Sequence, residues 1–361
     1  MSRHTSCSRS LLRPVLFLAL AACGLLATSC GGMSASAPVA PKWDSKSVAT
    51  SLSSVPFTPV IINSNLGKGP SRVALALLKR DQTLILEGTV TARIFRIDNE
   101  PEKHPDAGTL LGSYEMTART VDIADEHQNG RTMHLDSDAN GRVLVKVALR
   151  DPSHEAPAAP RHEGSLTTVF TTNVDFNEAG LWGAQLQVKT GNKTYRNLLI
   201  TFAVLERTSE SSIGDQAPRT KQKLAKDVAN LSEIDSSRTT RPEFHNIAVA
   251  DAIASGKPSL VAFVTPAFCQ TRFCGPVMET VVVPAYQQYK DRVHVIHIEP
   301  VDLAQARKGT LVAGREFEEW KLRSEPFIFV VNGQGVVTAK FEGIIDLAEV
   351  KQALDAALAG K

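Results

Sequence analysis

A loop with two cysteines follows directly on an apolar run of strand length, and it constrains the fold more than any other feature. The run, residues 259–264, has no charged residue, as is typical of a strand buried on both faces of a sheet. Cys269 and Cys274 lie in the loop, and Gly275-Pro276 then begins a predicted helix over 277–289. On one regular helix, residues five apart are about 8.6 Å from each other, beyond the roughly 7 Å that a disulfide spans. We therefore expect Cys274 at the helix entrance and Cys269 in the loop before it.

Strands and helices alternate from residue 247 to the end of the chain. The elements predicted after the cysteine loop are, in order, strand 293–298, a helix ending near 322, strand 325–331, strand 336–341 and helix 347–358. This order, Phe268-Cys269 after the buried strand and Glu325-Pro326 before a central strand resemble a thioredoxin-like domain. The resemblance covers residues 246–361 and implies an α/β fold in which Pro326 is a cis-proline beside the reactive cysteine.

The spacing of the cysteines departs from that family, whose two cysteines are separated by two residues rather than four. In one alignment Cys269 attacks and Cys274 resolves. In the other, Cys274-Gly275-Pro276-Val277 overlays the family's Cys-Gly-Pro-Cys motif and the roles reverse. We favour Cys269 as the nucleophile, because it follows the aromatic residue at the strand end. A helix N-terminus stabilises a thiolate in both cases.

The resemblance implies dithiol–disulfide exchange with a protein partner, with Cys269, Cys274 and Pro326 as the catalytic residues. A static disulfide that only staples the loop is the structural alternative. A ring this short would stabilise the fold by roughly 2 kcal/mol, because the benefit grows with loop length. The position of the pair at the redox site of the fold favours exchange.

A thiol peroxidase on the same fold is a second interpretation. Such enzymes bind peroxide with a threonine three residues before the cysteine and with a partner arginine. Thr265 lies four residues before Cys269, and only the distant Arg315 or Arg323 could supply the guanidinium. Because a peroxide site needs those donors in place, this function is less favoured.

A Sco-like copper chaperone is a third interpretation, with Cys269, Cys274 and His297 as the ligands. Thiolates and imidazole suit copper. His294 and His297 lie on one predicted strand, but their odd offset points them to opposite faces, and His297 is expected to be a core histidine. The favoured reading is therefore exchange chemistry without a cofactor.

The first thirty residues predict export. Residues 1–14 are basic without an acid, and residues 15–22 are apolar, which together form a secretory signal too short to span a bilayer as a stable helix. The run ends in Leu-Ala-Ala before Cys23 and resembles a bacterial lipobox, which implies a lipid anchor on Cys23. Cys30 is the alternative, since the flexible stretch 31–36 follows it. The mature protein is then expected on a membrane, facing the periplasm or the cell exterior.

The net charge of the chain argues against a partner that binds mainly by electrostatic attraction. The formal net charge is +2, and cleavage before Cys23 removes three arginines, which leaves 37 basic against 38 acidic residues. A near-neutral body is not expected to bind nucleic acid. Export also implies a compartment that permits disulfides.

Short alternating or β-branched runs, separated by turns such as Asn140-Gly141, fill residues 56–206 without a convincing helix. They predict an all-β sandwich, and the stretch 175–183 resembles a corner of immunoglobulin-like modules. The predicted chain is therefore multidomain, an all-β sandwich followed by an α/β thioredoxin-like fold. Its expected segments are a signal peptide (1–22), a flexible tether (23–55), the sandwich (56–206), a linker with one short helix near 221–231 (207–245) and the thioredoxin-like domain (246–361).

Overall fold

The structure is a computed structural model that describes residues 42–81, 83–97, 108–122 and 166–360, with the backbone of 132–137 and 143–148. The predicted signal segment lies outside the described residues, and so do both lipidation candidates, Cys23 and Cys30. Within the described ranges, no helix combines the length and the apolar character that a membrane span requires.

The first part of the chain, here called the β-region, consists mainly of antiparallel strands. They are β1 (Phe57–Ile61), β2 (Gly69–Lys79), β3 (Thr89–Ile97), β4 (Gly108–Asp122), β5 (Thr132–Ser137), β6 (Val143–Ala148), β7 (Leu166–Phe176), β8 (Gly180–Thr190) and β9 (Lys193–Val204). Seven of these strands form one sheet in the order β1-β2-β7-β4-β3-β8-β9, and β5 pairs with β6 in a separate ribbon.

This sheet curls until its two ends approach each other. The Lys68 amide donates to the Leu205 carbonyl at 2.9 Å, and the Leu205 amide donates to the Leu66 carbonyl at 2.8 Å. The inner face encloses one core, whose largest buried side chains include Phe170, Phe176 and Trp182. The all-β prediction thus takes the form of one curled sheet instead of two facing sheets of an immunoglobulin-like sandwich. Alternation along a strand shows which face is buried but not which strands pair.

The chain just before β1 packs against the sheet, although residues 23–55 were expected to form a free tether. Trp43 is 1% exposed, and its ring lies 5.7 Å from that of Phe95. A Cβ on Gly183 would come within 2.4 Å of a Trp43 ring atom, so this close approach requires glycine. A short helix, α1 (Val48–Ser51), follows.

A second sheet occupies the C-terminal region, here residues 247–360. Its strands are β10 (Ser259–Phe263), β11 (His294–Ile298), β12 (Phe327–Val331) and β13 (Val337–Glu342), in the order β11-β10-β12-β13. β10 runs parallel to β11 and antiparallel to β12, and β12 is antiparallel to β13. The helices are α2 (Val249–Ala254), α3 (Cys274–Val277), α4 (Val283–Tyr289), α5 (Leu303–Ala306), α6 (Arg315–Glu319) and α7 (Leu347–Leu358), and a π turn (Met278–Val282) joins α3 to α4.

Both faces of this sheet are covered, which explains why β10 carries no charged residue and is apolar after Ser259. The helical segment 274–289 and α7 pack on one face, and α2 with Trp320 packs on the other. All five residues of β10 are buried. The central strands therefore form the rigid base from which the cysteine loop extends.

Residues 207–245, expected to be an exposed linker, pack against the C-terminal sheet. Gln216 forms a β-bridge with Val336. The Trp320 indole donates to the Thr220 hydroxyl at 2.7 Å, and Thr220 is fully buried. Long-range partners of this kind satisfy polar side chains that the composition alone would assign to solvent.

The short helix predicted over 221–231 is replaced by two 3-10 turns, Ala225–Asp227 and Leu231–Glu233. The side chains of Asp227 and Asn230 accept hydrogen bonds from backbone amides of these same turns. Such local bonds compete with helix propagation. The helix propensity of the lysines in this segment does not outweigh them.

Candidate active site

The cysteine loop connects β10 to α3. α3 begins at Cys274, which places this residue at the helix entrance and Cys269 in the loop before it. Arg272 has a φ of 69°, in the left-handed region, and turns the chain back within the loop. Because of this turn, the five-residue offset does not separate the two cysteines as a regular helix would.

Two hydrogen-bonding groups lie against the Cys269 sulfur. The backbone N–H of Cys274 donates to Cys269 Sγ at 3.2 Å, and Thr271 Oγ1 also lies 3.2 Å from it. The same hydroxyl donates to the Glu325 carbonyl at 2.9 Å. Thr271 therefore accepts from a Cys269 thiol or turns its proton toward a Cys269 thiolate, since a hydroxyl has one proton and two lone pairs.

Cys274 lies deeper than Cys269. Both thiols are free in the structure, Cys274 with 0% exposure and Cys269 with 4%. Burial raises the pKa of the Cys274 thiol well above its ordinary value, and the hydrogen bond and charge of Cys269 and the charge of Glu325 act in the same direction. The buried thiol is thus kept protonated, whereas Cys269 is followed directly by the exposed Gln270.

Glu325 and Pro326 form the opposite wall of the loop. Pro326 is buried at the entry to β12, and the Glu325–Pro326 peptide is cis. Glu325 is partly buried and its carboxylate accepts from the Gln270 amide at 3.1 Å. Burial raises the pKa of the Glu325 carboxyl, and the Gln270 hydrogen bond opposes this. An acid is therefore held beside the cysteine pair by the loop backbone.

The β-region contacts this loop from the side. Phe273, the residue before α3, packs with Ile344 against Ala76, Val121 and Val169 on the outer face of the β-region sheet. The β-region therefore covers one side of the cysteine loop, and the side at Gln270 stays open to solvent.

His297 is buried at 1% exposure on β11, as expected for a core histidine, whereas His294 on the same strand is partly exposed and bonds the Ser255 hydroxyl at 3.0 Å. His297 meets Asp235 and His245. Among the described residues, the group with metal-ligand spacing consists of these three and includes neither cysteine. The structure thus brings Cys269, Cys274 and Pro326 together and places His297 in a separate cluster.

Asp235 and His245 of that cluster, and Glu299 with its carboxylate 3.6 Å from His297 Nε2, were not singled out from the sequence. Asp235 and His245 lie in the segment read as a linker, with no short spacing between them that signals a site. The His245 hydrogen bond and the His297 charge hold the pKa of Asp235 well below its usual range, although burial opposes this. Burial raises the pKa of Glu299, which the His297 charge opposes.

Thr265 and Arg315, two of the three peroxide-binding candidates considered above, are engaged elsewhere. Thr265 is fully buried, with its hydroxyl 3.5 Å from that of Ser236. Arg315 donates to the Lys221 carbonyl at 2.9 Å and pairs with Glu316. These contacts do not direct either residue at Cys269.

Comparison with known proteins adds little to this geometry. No family model matches the chain, and no curated protein matches it. Among solved structures, the crystal structure of a thioredoxin-like superfamily protein matches at 15% identity over 41% of this chain and 97% of that chain, with a TM-score of 0.24. A TM-score this low does not establish a common fold.

Proposed function

We propose that the chain is an exported, lipid-anchored thiol-disulfide oxidoreductase whose reactive pair is Cys269 and Cys274. The observation that carries the proposal is the hydrogen bond from the Cys274 amide, at the start of a helical segment, to Cys269 Sγ. A sulfur that accepts from a helix N-terminal amide is stabilised as the attacking thiolate. The Thr271 hydroxyl, which donates to the Glu325 carbonyl, lies 3.2 Å from the same sulfur and can turn its proton to it once the thiolate forms.

The surrounding topology supports a thioredoxin-like assignment for residues 246–361, with the β-region before it. A parallel pair, β10 and β11, is followed by the antiparallel hairpin β12–β13 in one sheet. The cysteine loop leaves the central strand β10, and Pro326 lies at the entry to the neighbouring β12. This is the arrangement that the sequence resemblance implies.

The proposed reaction proceeds in two exchange steps. The Cys269 thiolate attacks one sulfur of a partner disulfide, forms a mixed disulfide and releases the other partner sulfur as a thiolate. Cys274 then loses its proton and attacks Cys269 Sγ, which forms the Cys269–Cys274 disulfide and releases the second partner thiolate. Two electrons pass to the partner, whose two thiolates take up the proton lost by Cys274 and one from solvent, and the reverse sequence oxidises a partner dithiol.

The unequal burial of the two sulfurs supports these roles. Cys274 is enclosed and its raised pKa keeps it protonated, so it does not compete for the partner disulfide. Formation of the mixed disulfide removes the negative charge of Cys269, one of the causes that raise the pKa of Cys274. The first step thereby favours deprotonation of Cys274 for the second.

The reduction potential of the pair is the direct test. The full-length protein is equilibrated in glutathione buffers, quenched, and its free thiols are counted by labelling and mass spectrometry. A potential of about −120 to −270 mV supports exchange, and one below about −300 mV indicates a structural disulfide. Absence of an intramolecular disulfide at every potential contradicts the proposal.

Single variants test the assignment of roles. Cys274→Ser is expected to accumulate a mixed disulfide with a disulfide-containing protein substrate, because the resolving thiol is absent. Cys269→Ser is expected to form none. The opposite result assigns the attack to Cys274, and turnover in both variants excludes the mechanism.

The lipid anchor is tested in a bacterial host with a labelled fatty acid. We expect label on the wild type and its loss in Cys23→Ala, with Cys30→Ala as the matched variant. Label that persists in Cys23→Ala and disappears in Cys30→Ala assigns the anchor to Cys30. A protein that never incorporates label contradicts the anchor and leaves the redox proposal to its own tests.

A further inference from the structure

Asp235, His245 and His297 form a buried cluster that the proposed exchange reaction does not use. Their exposures are 1%, 2% and 1%. One ligand-type atom from each lies within 4.8 Å of the other two. His297 comes from β11, whereas Asp235 and His245 come from the segment before α2. The cluster therefore joins two parts of the chain that are distant in sequence.

In His297, the hydrogen bond made by one ring nitrogen determines whether the other nitrogen of the neutral ring carries a proton. Nε2 lies 2.9 Å from the Val264 carbonyl, which only accepts, so Nε2 carries the proton. In the neutral ring, Nδ1 then has a lone pair. Nδ1 has no hydrogen-bond partner and faces Asp235 Oδ1 at 3.7 Å. Asp235 Oδ1 accepts from the Ser237 amide, so the unpartnered Nδ1 faces a buried acceptor, an arrangement that a positive charge between the two atoms would stabilise.

The distances fit a metal ion better than a shared proton. The 3.7 Å between His297 Nδ1 and Asp235 Oδ1 exceeds a normal hydrogen bond, and His245 Nε2 lies 3.3 Å from Asp235 Oδ2. In a tetrahedron with zinc–ligand distances of about 2.0–2.2 Å, the ligand atoms lie about 3.3–3.6 Å apart. The two spacings, one to each carboxylate oxygen of Asp235, lie close to that range, and one ligand atom from each of the three residues lies within 4.8 Å of the other two.

The outer contacts are those that metal ligands need. A metal-binding histidine almost always donates its second ring N–H to a carbonyl or carboxylate, as His297 does to Val264. The Asp235 carboxylate is oriented by the backbone amides of Ser237 at 2.8 Å and Arg241 at 3.1 Å. Ligand orientation is thus set without any metal contact.

We propose that Asp235, His245 Nε2 and His297 Nδ1 bind a divalent transition-metal ion of the zinc type. Two imidazole nitrogens and one carboxylate form a common zinc ligand set. Since every ligand is at least 98% buried, the ion has no open face for a substrate and its role is structural. It fastens residues 235–245 to β11, the strand beside the one that leads into the cysteine loop.

Zinc binding to the full-length protein tests the site. Purified protein is stripped with a chelator, titrated with ZnSO4 against a chromophoric competitor, and assayed by elemental analysis. We expect one zinc ion per chain and a fall in affinity of at least about tenfold in Asp235→Asn and in His245→Gln. His294→Gln, on the other face of β11, and the double variant Cys269→Ser/Cys274→Ser are expected to retain full binding.

Three outcomes overturn the proposal: no zinc on the folded wild type, unchanged affinity in folded Asp235→Asn, or loss of zinc with the two cysteines. If circular dichroism shows that Asp235→Asn is unfolded, X-ray absorption spectroscopy of the zinc-loaded wild type tests the site instead. Nitrogen and oxygen neighbours at about 2.0–2.1 Å support the site, and sulfur at about 2.3 Å assigns the zinc to the thiols.

Discussion

Arg72 of β2 and Glu349 of α7 form a two-point ion pair across the contact between the β-region and the C-terminal region. Arg72 Nε and Nη2 lie 2.8 and 2.9 Å from the two carboxylate oxygens, and both side chains are less than 10% exposed. Arg72 also donates to the Ile344 carbonyl at 2.7 Å. Glu349 in turn accepts from the amide of Asp346, the N-cap of α7. The first turn of α7 is thereby anchored to the β-region.

Replacing Arg72 with alanine is expected to lower the free energy of unfolding by up to about 3–5 kcal/mol, because it leaves the buried Glu349 carboxylate with the more distant Arg119, at 3.9 Å, as its remaining cation. Urea denaturation monitored by tryptophan fluorescence measures the loss. Lys68→Ala is the matched control, since the Lys68–Glu206 pair is exposed and is expected to contribute less than about 1 kcal/mol. Equal losses in the two variants would contradict a buried, stabilising pair.

Gly183→Ala is expected to destabilise the β-region by about 1–3 kcal/mol, because the added methyl group would lie 2.4 Å from the Trp43 ring. The same denaturation experiment measures the change. Trp43→Leu in the Gly183→Ala background should recover part of the loss, since the smaller side chain vacates the contact. If the losses in unfolding free energy caused by Gly183→Ala and Trp43→Leu simply add in the double variant, Trp43 does not occupy this position.

The local features of the cysteine site follow from the sequence. Gly275-Pro276 predicted the helix start to within a residue or two, because proline is tolerated only in the first turn. The odd offset between His294 and His297 predicted their opposite faces, which the exposure of the two side chains reflects. Each of these two inferences uses only residues that lie close together in the sequence.

The arrangement of distant segments did not follow from the sequence. Asp235 was read as part of a linker, because its burial depends on contacts with His245 Nε2 and with the Ser237 and Arg241 amides. The curled sheet was read as two sheets, since the pattern of a strand does not identify its neighbours. The burial of Asp235 depends on tertiary hydrogen bonds and the form of the sheet depends on strand pairing. The local sequence pattern specifies neither.

Stability is expected to decrease as the pH rises above about 9, because burial raises the pKa of Cys274 above the 9.0 of an ordinary thiol. In that range the unfolded chain loses this proton and the folded chain retains it, so the unfolded state gains up to about 1.4 kcal/mol per pH unit. Urea unfolding at pH 8 and pH 10 measures the slope. Cys274→Ala should flatten the slope, and an unchanged slope would exclude this thiol as its cause.

Thr271→Val is expected to slow alkylation of Cys269 by iodoacetamide at neutral pH about fivefold. The reagent attacks the thiolate, and valine removes the hydroxyl that turns its proton from the Glu325 carbonyl toward that sulfur, a hydrogen bond worth about 1 kcal/mol. Mass spectrometry of the reduced protein at timed intervals gives the rate for each cysteine. Thr271→Ser keeps the hydroxyl and should restore the rate. Thr280→Val is the matched control, because the Thr280 hydroxyl donates to the Pro276 carbonyl within the same helical segment. An equal rate in Thr271→Val and wild type would show that the amide of Cys274 suffices to activate Cys269.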